Sequence, residues 1–310
     1  MTAHLSEKVL EGFRTVALTT AALEVRVAPQ LGARIVSLRD LRTGREWLWP
    51  GAGMFPRIIP RLGDSFERSG HGGIDECLPT IGACAWKRRA LPDHGEVWTQ
   101  PWTLDEAALT RGEIRTSLVL PLSPLALTRT IRANGSEVRF EYELTSLSEE
   151  PEEFLWSWHP LFGLRPGDRL DLPAGASEMR LEVAVGAHTG ERGEFWLLPR
   201  PHAGVDLLSL DLAGANACVK GFIGPLSAGE TAVALRGADG SALELMWNAE
   251  ENPFLGLWLA RGYRGWHHIA LEPTCGAPDR LDLAVESWRH HSTLAPRAGR
   301  CWAVRMRLGL

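Results

Sequence analysis

Two proton-carrying side chains sit in stretches of this chain that are otherwise apolar. Glu272 ends the run Ile269-Ala270-Leu271 and precedes Pro273. Carboxylates rarely enter such surroundings unpaired, and burial raises their pKa and makes them better bases. His159 lies in Phe154-Leu155-Trp156-Ser157-Trp158-His159-Pro160-Leu161-Phe162-Gly163. An imidazole titrates near ~6.5, so modest tuning there makes it a usable acid at neutral pH. A second histidine, His94, stands between Asp93 and Gly95, with Trp98 and Trp102 close behind, and is expected on a loop over a cleft. Arg57 and Arg61 sit among prolines and apolar residues in residues 55–63. Their rigid donor forks suit hydroxyl pairs, carboxylate or phosphate. One group that accepts a proton and another that donates it, held at one pH, are the parts of acid/base chemistry on a small molecule.

The elements that must carry these groups are strands. Leu23, Val25 and Val27 alternate with polar residues, and the turn Pro29-Gln30-Leu31-Gly32 leads into a return strand over residues 33–38. Asn134-Gly135 joins residues 125–132 to a second run with Val138, Phe140, Tyr142 and Leu144 on one face, which spells a hairpin with a tight turn. Trp302, Val304, Met306 and Leu308 repeat the alternation at the C-terminus. No long amphipathic helix is visible. Residues 1–14 are expected to be loosely ordered or shortly helical, and residues 207–212 to hold a short helical turn. Many strands without helices between them point to an all-β fold, a large sandwich spanning residues 1–310 as one domain.

Composition narrows the partners. A net charge of -5 argues against nucleic acid. No apolar run is long enough to cross a membrane, and the first residues carry no signal-peptide pattern, so a cytoplasmic protein is expected, a monomer or homodimer. Five cysteines without CxxC spacing suit buried thiols in a reducing compartment rather than disulfides or structural zinc. The adjacent pairs His267-His268 and His290-His291 would point to opposite faces of a strand, so neither reads as a metal site. The glycines of Gly70-His71-Gly72-Gly73-Ile74-Asp75-Glu76-Cys77 lack the Gly-Lys-Ser/Thr of a phosphate loop. Thirteen tryptophans against two tyrosines read mostly as core packing, and the excess also suits a cleft that offers indole platforms to sugar C–H faces.

In order along the chain, these segments resemble the aldose 1-epimerase (galactose mutarotase-like) superfamily. Val27-Ala28-Pro29-Gln30-Leu31-Gly32-Ala33-Arg34-Ile35-Val36-Ser37-Leu38 resembles its N-terminal hairpin, and Thr43-Gly44-Arg45-Glu46-Trp47-Leu48 resembles the segment after that hairpin. His94-Gly95 with Trp98 and Trp102, then Trp158-His159-Pro160-Leu161-Phe162, resemble its two histidine regions. Leu271-Glu272-Pro273 resembles its glutamate segment. The resemblance runs from about residue 20 to the C-terminus. It implies a large twisted antiparallel β-supersandwich and a cofactor-independent isomerase that interconverts the α and β anomers of an aldose or aldose phosphate. Glu272 would take the proton from the anomeric hydroxyl and His159 would protonate the ring oxygen. His94 would polarise that oxygen, Arg57 or Arg61 would hold a hydroxyl, and Trp98, Trp158 and Asp75 would complete the contacts. The stretch 72–82 is closer to a sugar-phosphate branch of that superfamily. Arg57, Arg61 and Arg68 could serve a phosphate, against the negative charge of Asp64, Asp75 and Glu76. Two alternatives share the sandwich: a non-catalytic carbohydrate-binding protein, and a glycoside hydrolase pairing Glu272 with Glu76 or Asp75.

Overall fold

The computed structural model describes residues 3–51, 53–69, 72–186, 189–214 and 216–309. Two large antiparallel sheets dominate. The eleven-stranded sheet runs in the order His4–Leu10, Phe13–Thr19, Leu23–Ala28, Arg34–Asp40, Ile74–Cys77, Ser157–Gly163, His267–Thr274, Phe254–Arg261, Ala217–Ile223, Glu178–Val185, Phe195–Leu197. The eight-stranded sheet is centred on Gly299–Leu308, Glu137–Ser146 and Leu125–Asn134. They face each other across a continuous apolar core. Phe140 from one sheet meets Trp158 from the other at 4.9 Å between ring centres, and Trp302 stacks on Tyr142. The alternation at Trp302, Val304, Met306 and Leu308 is the inner face of its strand, as expected. No helix among the described residues is long and apolar enough to cross a membrane.

Three local expectations change. The N-terminal residues are a hairpin: His4–Leu10 pairs along its whole length with Phe13–Thr19, neither loose nor helical; Met1 and Thr2 lie outside the described residues. Residues 207–210 form the turn between the short strands Val205–Asp206 and Asp211–Leu212. The hairpin at Asn134-Gly135 forms, but Asn134 pairs with Glu137, so the turn is Gly135-Ser136, with the positive φ at Gly135 (57°) alone. All five thiols are free; Cys77, Cys218 and Cys275 are buried, whereas Cys84 is half-buried and Cys301 exposed.

The centre of the large sheet positions the site. Ser157–Gly163 lies between Ile74–Cys77 and His267–Thr274, and the latter pairs with Phe254–Arg261, which pairs with Ala217–Ile223. Successive residues of a strand point to opposite faces. Leu271, Leu257 and Val219 therefore go to the core. Glu272, His268, Trp258 and Lys220 go to the other face and line a cavity of about 350 Å³.

Candidate active site

Glu272 and His159 reach this cavity from neighbouring strands. His159 Nε2 is 3.8 Å from Glu272 Oε1, and both side chains are almost wholly shielded from solvent (7% and 0% exposed). Glu272 Oε1 has no hydrogen-bond partner among the described residues. Glu272 Oε2 accepts from Ser157 Oγ at 3.4 Å and lies 3.4 Å from Lys220 Nζ, which in turn lies 2.8 Å from Asp279 Oδ1. Burial raises the Glu272 pKa above that of an ordinary glutamate, and Lys220 partly offsets this. Burial, with His94 and Lys220 nearby, drives His159 well below an ordinary histidine, so it is neutral at pH 7.

Across the cavity, His94 comes from a loop, with its backbone in the left-handed region (φ 57°). Its Nδ1 is 2.9 Å from Asp93 Oδ1, while Asp93 Oδ2 accepts from the Phe66 backbone N–H. Burial opposes the Asp93 charge, but the bond to His94 and its charge, the Phe66 backbone N–H and Lys220 together outweigh it and hold the Asp93 carboxyl below its usual value. The pairing with Asp93 leaves Nε2 of His94 for a ligand. Phe66 stacks on His94 at 4.1 Å, and the two imidazoles meet edge to face at 4.9 Å. The opposite wall is aromatic: Trp49, Trp258, Tyr263 and Trp266 are half-buried there. Trp258 Nε1 donates to His268 Nε2 at 3.1 Å, and Trp49 stacks on the same ring at 4.2 Å. Burial pushes His268 down to about 3, so this ring is a neutral part of the floor. At the mouth, Glu67 pairs with Arg264.

Of the residues singled out in the sequence, Glu272, His159 and His94 converge and the others do not. Trp158 precedes His159 on one strand and so faces the core, fully buried against Phe140. Trp98 is buried beneath the His94 loop; its Nε1 donates to the Asp93 carbonyl, so it supports the loop rather than the ligand. Asp75 pairs in register with His159, but Arg34 Nε donates to both its carboxylate oxygens (3.0 and 3.1 Å), and it does not line the cavity. Arg57 and Arg61 are exposed on the 53–65 loop, and neither lines the cavity; Arg57 borders a separate hollow with Asp64 and Arg68. Glu76 faces the core, where it meets Arg129, Tyr142 and Trp156. Neither carboxylate offered for a hydrolase pair is therefore in the cavity. Gly70 and His71 lie outside the described residues.

Four charged cavity residues escaped the sequence reading: Lys220, Glu67, Asp93 and Asp279. Lys220 carried the same mark as Glu272, a lone charge in an apolar strand, Ala217-Cys218-Val219-Lys220-Gly221-Phe222-Ile223. Asp93 and Asp279 lie on loops, where no periodicity singles out a residue.

No protein-family model matches the sequence, and no curated protein matches it. Solved structures do match over nearly the whole chain. A galactose mutarotase-like protein from Lactobacillus casei is 16% identical, with 95% of this chain and 99% of that one covered and a TM-score of 0.66. A galactose mutarotase-like protein from Clostridium acetobutylicum is 13% identical over 99% and 98%, with a TM-score of 0.67. A galactose mutarotase related enzyme from Lactobacillus acidophilus is 15% identical over 94% and 96%, with a TM-score of 0.67. The fold is that of the galactose mutarotase-like sandwich.

Proposed function

We propose that this chain, built on the galactose mutarotase-like sandwich, interconverts the α and β anomers of an aldose by acid/base ring opening. One observation carries the proposal: a buried carboxylate oxygen without a partner, Glu272 Oε1, stands 3.8 Å from an imidazole nitrogen in the same cavity. Buried polar atoms are nearly always satisfied, so an unpaired acceptor suits a ligand hydroxyl. Glu272 takes the proton of the anomeric hydroxyl, the C1–ring-oxygen bond breaks, and the ring oxygen is protonated. The C1–C2 bond then rotates, and the steps reverse on the other face. Only protons move, so a donor and an acceptor suffice.

The state of His159 supports a different division of labour from the one the family resemblance implied. A buried neutral imidazole polarises oxygen by hydrogen bonding rather than by arriving charged. His94, held through Nδ1 by the ionised Asp93, is the proton donor in this reading, and His159 steadies the ring oxygen beside it. The aromatic wall suits the apolar face of a sugar ring. Four carboxylates (Glu67, Asp93, Glu272 and Asp279) outnumber the Lys220 ammonium and the rim guanidinium of Arg264, which favours an uncharged aldose over a phosphate. The test is anomer exchange followed by NMR on free hexoses and their 6-phosphates. Faster exchange of free sugars supports the proposal. No acceleration of any of them overturns it.

A further inference from the structure

The strand beside Glu272 has a gap where a side chain would normally stand. Gly256 is the register partner of both Glu272 and Phe222, on either side of it. A Cβ there would lie 3.0 Å from Glu272 Oε2 and 3.1 Å from Glu272 Cβ. Lys220, two residues before Phe222 on the same face, reaches Glu272 across this opening. Its ammonium is buried, and Asp279 holds it at 2.8 Å. Among the described contacts, the two oxygens of Glu272 are thus unlike: Oε2 is anchored by Lys220 and Ser157, and Oε1 is unpartnered and nearest His159.

We propose that Lys220 is a positioning residue for Glu272: clamped by Asp279, its ammonium holds one carboxylate oxygen, keeps the group ionised, and leaves the other oxygen for the anomeric hydroxyl. This rests on Glu272 being the base. Burial works against the Lys220 charge, but Asp279 and Glu272 together raise its pKa above that of an ordinary lysine. A lysine kept as ammonium is no nucleophile, so Lys220 does not form an imine with an open-chain aldose. The charged and titratable groups around Glu272 are Lys220, Asp279, His159, His94 and the Cys77 thiol, and of these Lys220 and then His94 lower its pKa while Asp279 raises it. Lys220 and Asp279 therefore act on the base in opposite directions.

The experiment reads the titration of Glu272 directly, by carboxyl 13C NMR with Glu272→Gln assigning the signal, alongside the pH profile of kcat/KM for anomer exchange. In Lys220→Met the Glu272 pKa and the acid limb of kcat/KM rise together by about 1–3 pH units, the usual effect of losing an adjacent opposite charge. Lys220→Arg keeps both near wild type. Asp279→Asn, which leaves the ammonium in place, moves both the other way. A purely structural lysine would lower activity in all three without moving either titration, and an unmoved Glu272 signal in folded Lys220→Met and Asp279→Asn overturns the proposal. If the carboxyl titration moves as stated while no sugar is anomerised by wild type, the control of Glu272 stands and the assigned reaction falls.

Discussion

Glu272→Gln separates chemistry from folding. The amide has nearly the shape of the carboxyl group but cannot accept the anomeric proton. Loss of a general base costs about 10²–10⁴ in rate, or about 2.7–5.4 kcal/mol of transition-state stabilisation at about 1.36 kcal/mol per tenfold. The fold loses little. Oε1 has no partner to lose, and the two contacts at Oε2 are both 3.4 Å, longer than a good hydrogen bond. Lys220 keeps Asp279 at 2.8 Å. The net stability change is about 1 kcal/mol or less, which for a domain of this size moves the melting temperature by no more than about 2–4 °C. The pH profile adds a signed check. A base works only when ionised, and burial raises the Glu272 pKa, so wild-type kcat/KM falls on the acid side with a midpoint above the 4.5 of an ordinary glutamate. Exchange NMR gives the rates and calorimetry the stability. A well-folded Glu272→Gln enzyme within about tenfold of wild type would refute the assignment of the base.

Other changes test the placement of the remaining residues. Arg57→Ala and Arg61→Ala each leave kcat/KM within about twofold of wild type in the exchange assay, because surface substitutions away from a site change little. Glu76→Ala strands the fully buried guanidinium of Arg129 and lowers stability by about 3–5 kcal/mol, read from urea unfolding. Gly256→Ala pushes a methyl against Glu272 Oε2, and the carboxylate must give by a few tenths of an ångström. Exchange slows by about tenfold, short of the roughly 10² that a 1 Å misplacement costs, while unfolding is little changed.

The strand pattern was readable because period-two alternation is physical: each sheet has one face against the shared core. It failed at residues 4–10, an edge strand with a mostly exposed face, where Leu5, Val9 and Leu10 leave no regular apolar alternation. The same period sorts two neighbouring pairs among the candidate site residues. Trp158 and His159 are neighbours on one strand, as are Asp75 and Glu76, and neighbours cannot both face one cavity. Once His159 is placed, Trp158 is excluded from sequence alone. Asp75 lies on the right face, yet its role is decided by Arg34, 41 residues away and on another strand, a pairing no local pattern reveals.

The legibility of the site depends on where it sits. The central strands are buried on both faces, one by the core and one by the cavity's own walls, so they read as near-continuous apolar runs. Against that background an ionisable residue must have a partner or a ligand, because a lone buried charge is too costly to keep. Glu272 and His159 stood out for this reason, and Lys220 met the same criterion. Joining Lys220 to Glu272 required the fold: the two strands are separated by a third, and Gly256 provides the opening between them. A charge embedded in an apolar strand can therefore be found from sequence as a member of a site, whereas the identity of its partner depends on strand order. The loop carboxylates Asp93 and Asp279 lack even the first mark, since polar residues on loops are the rule, and only their contacts with His94 and Lys220 distinguish them.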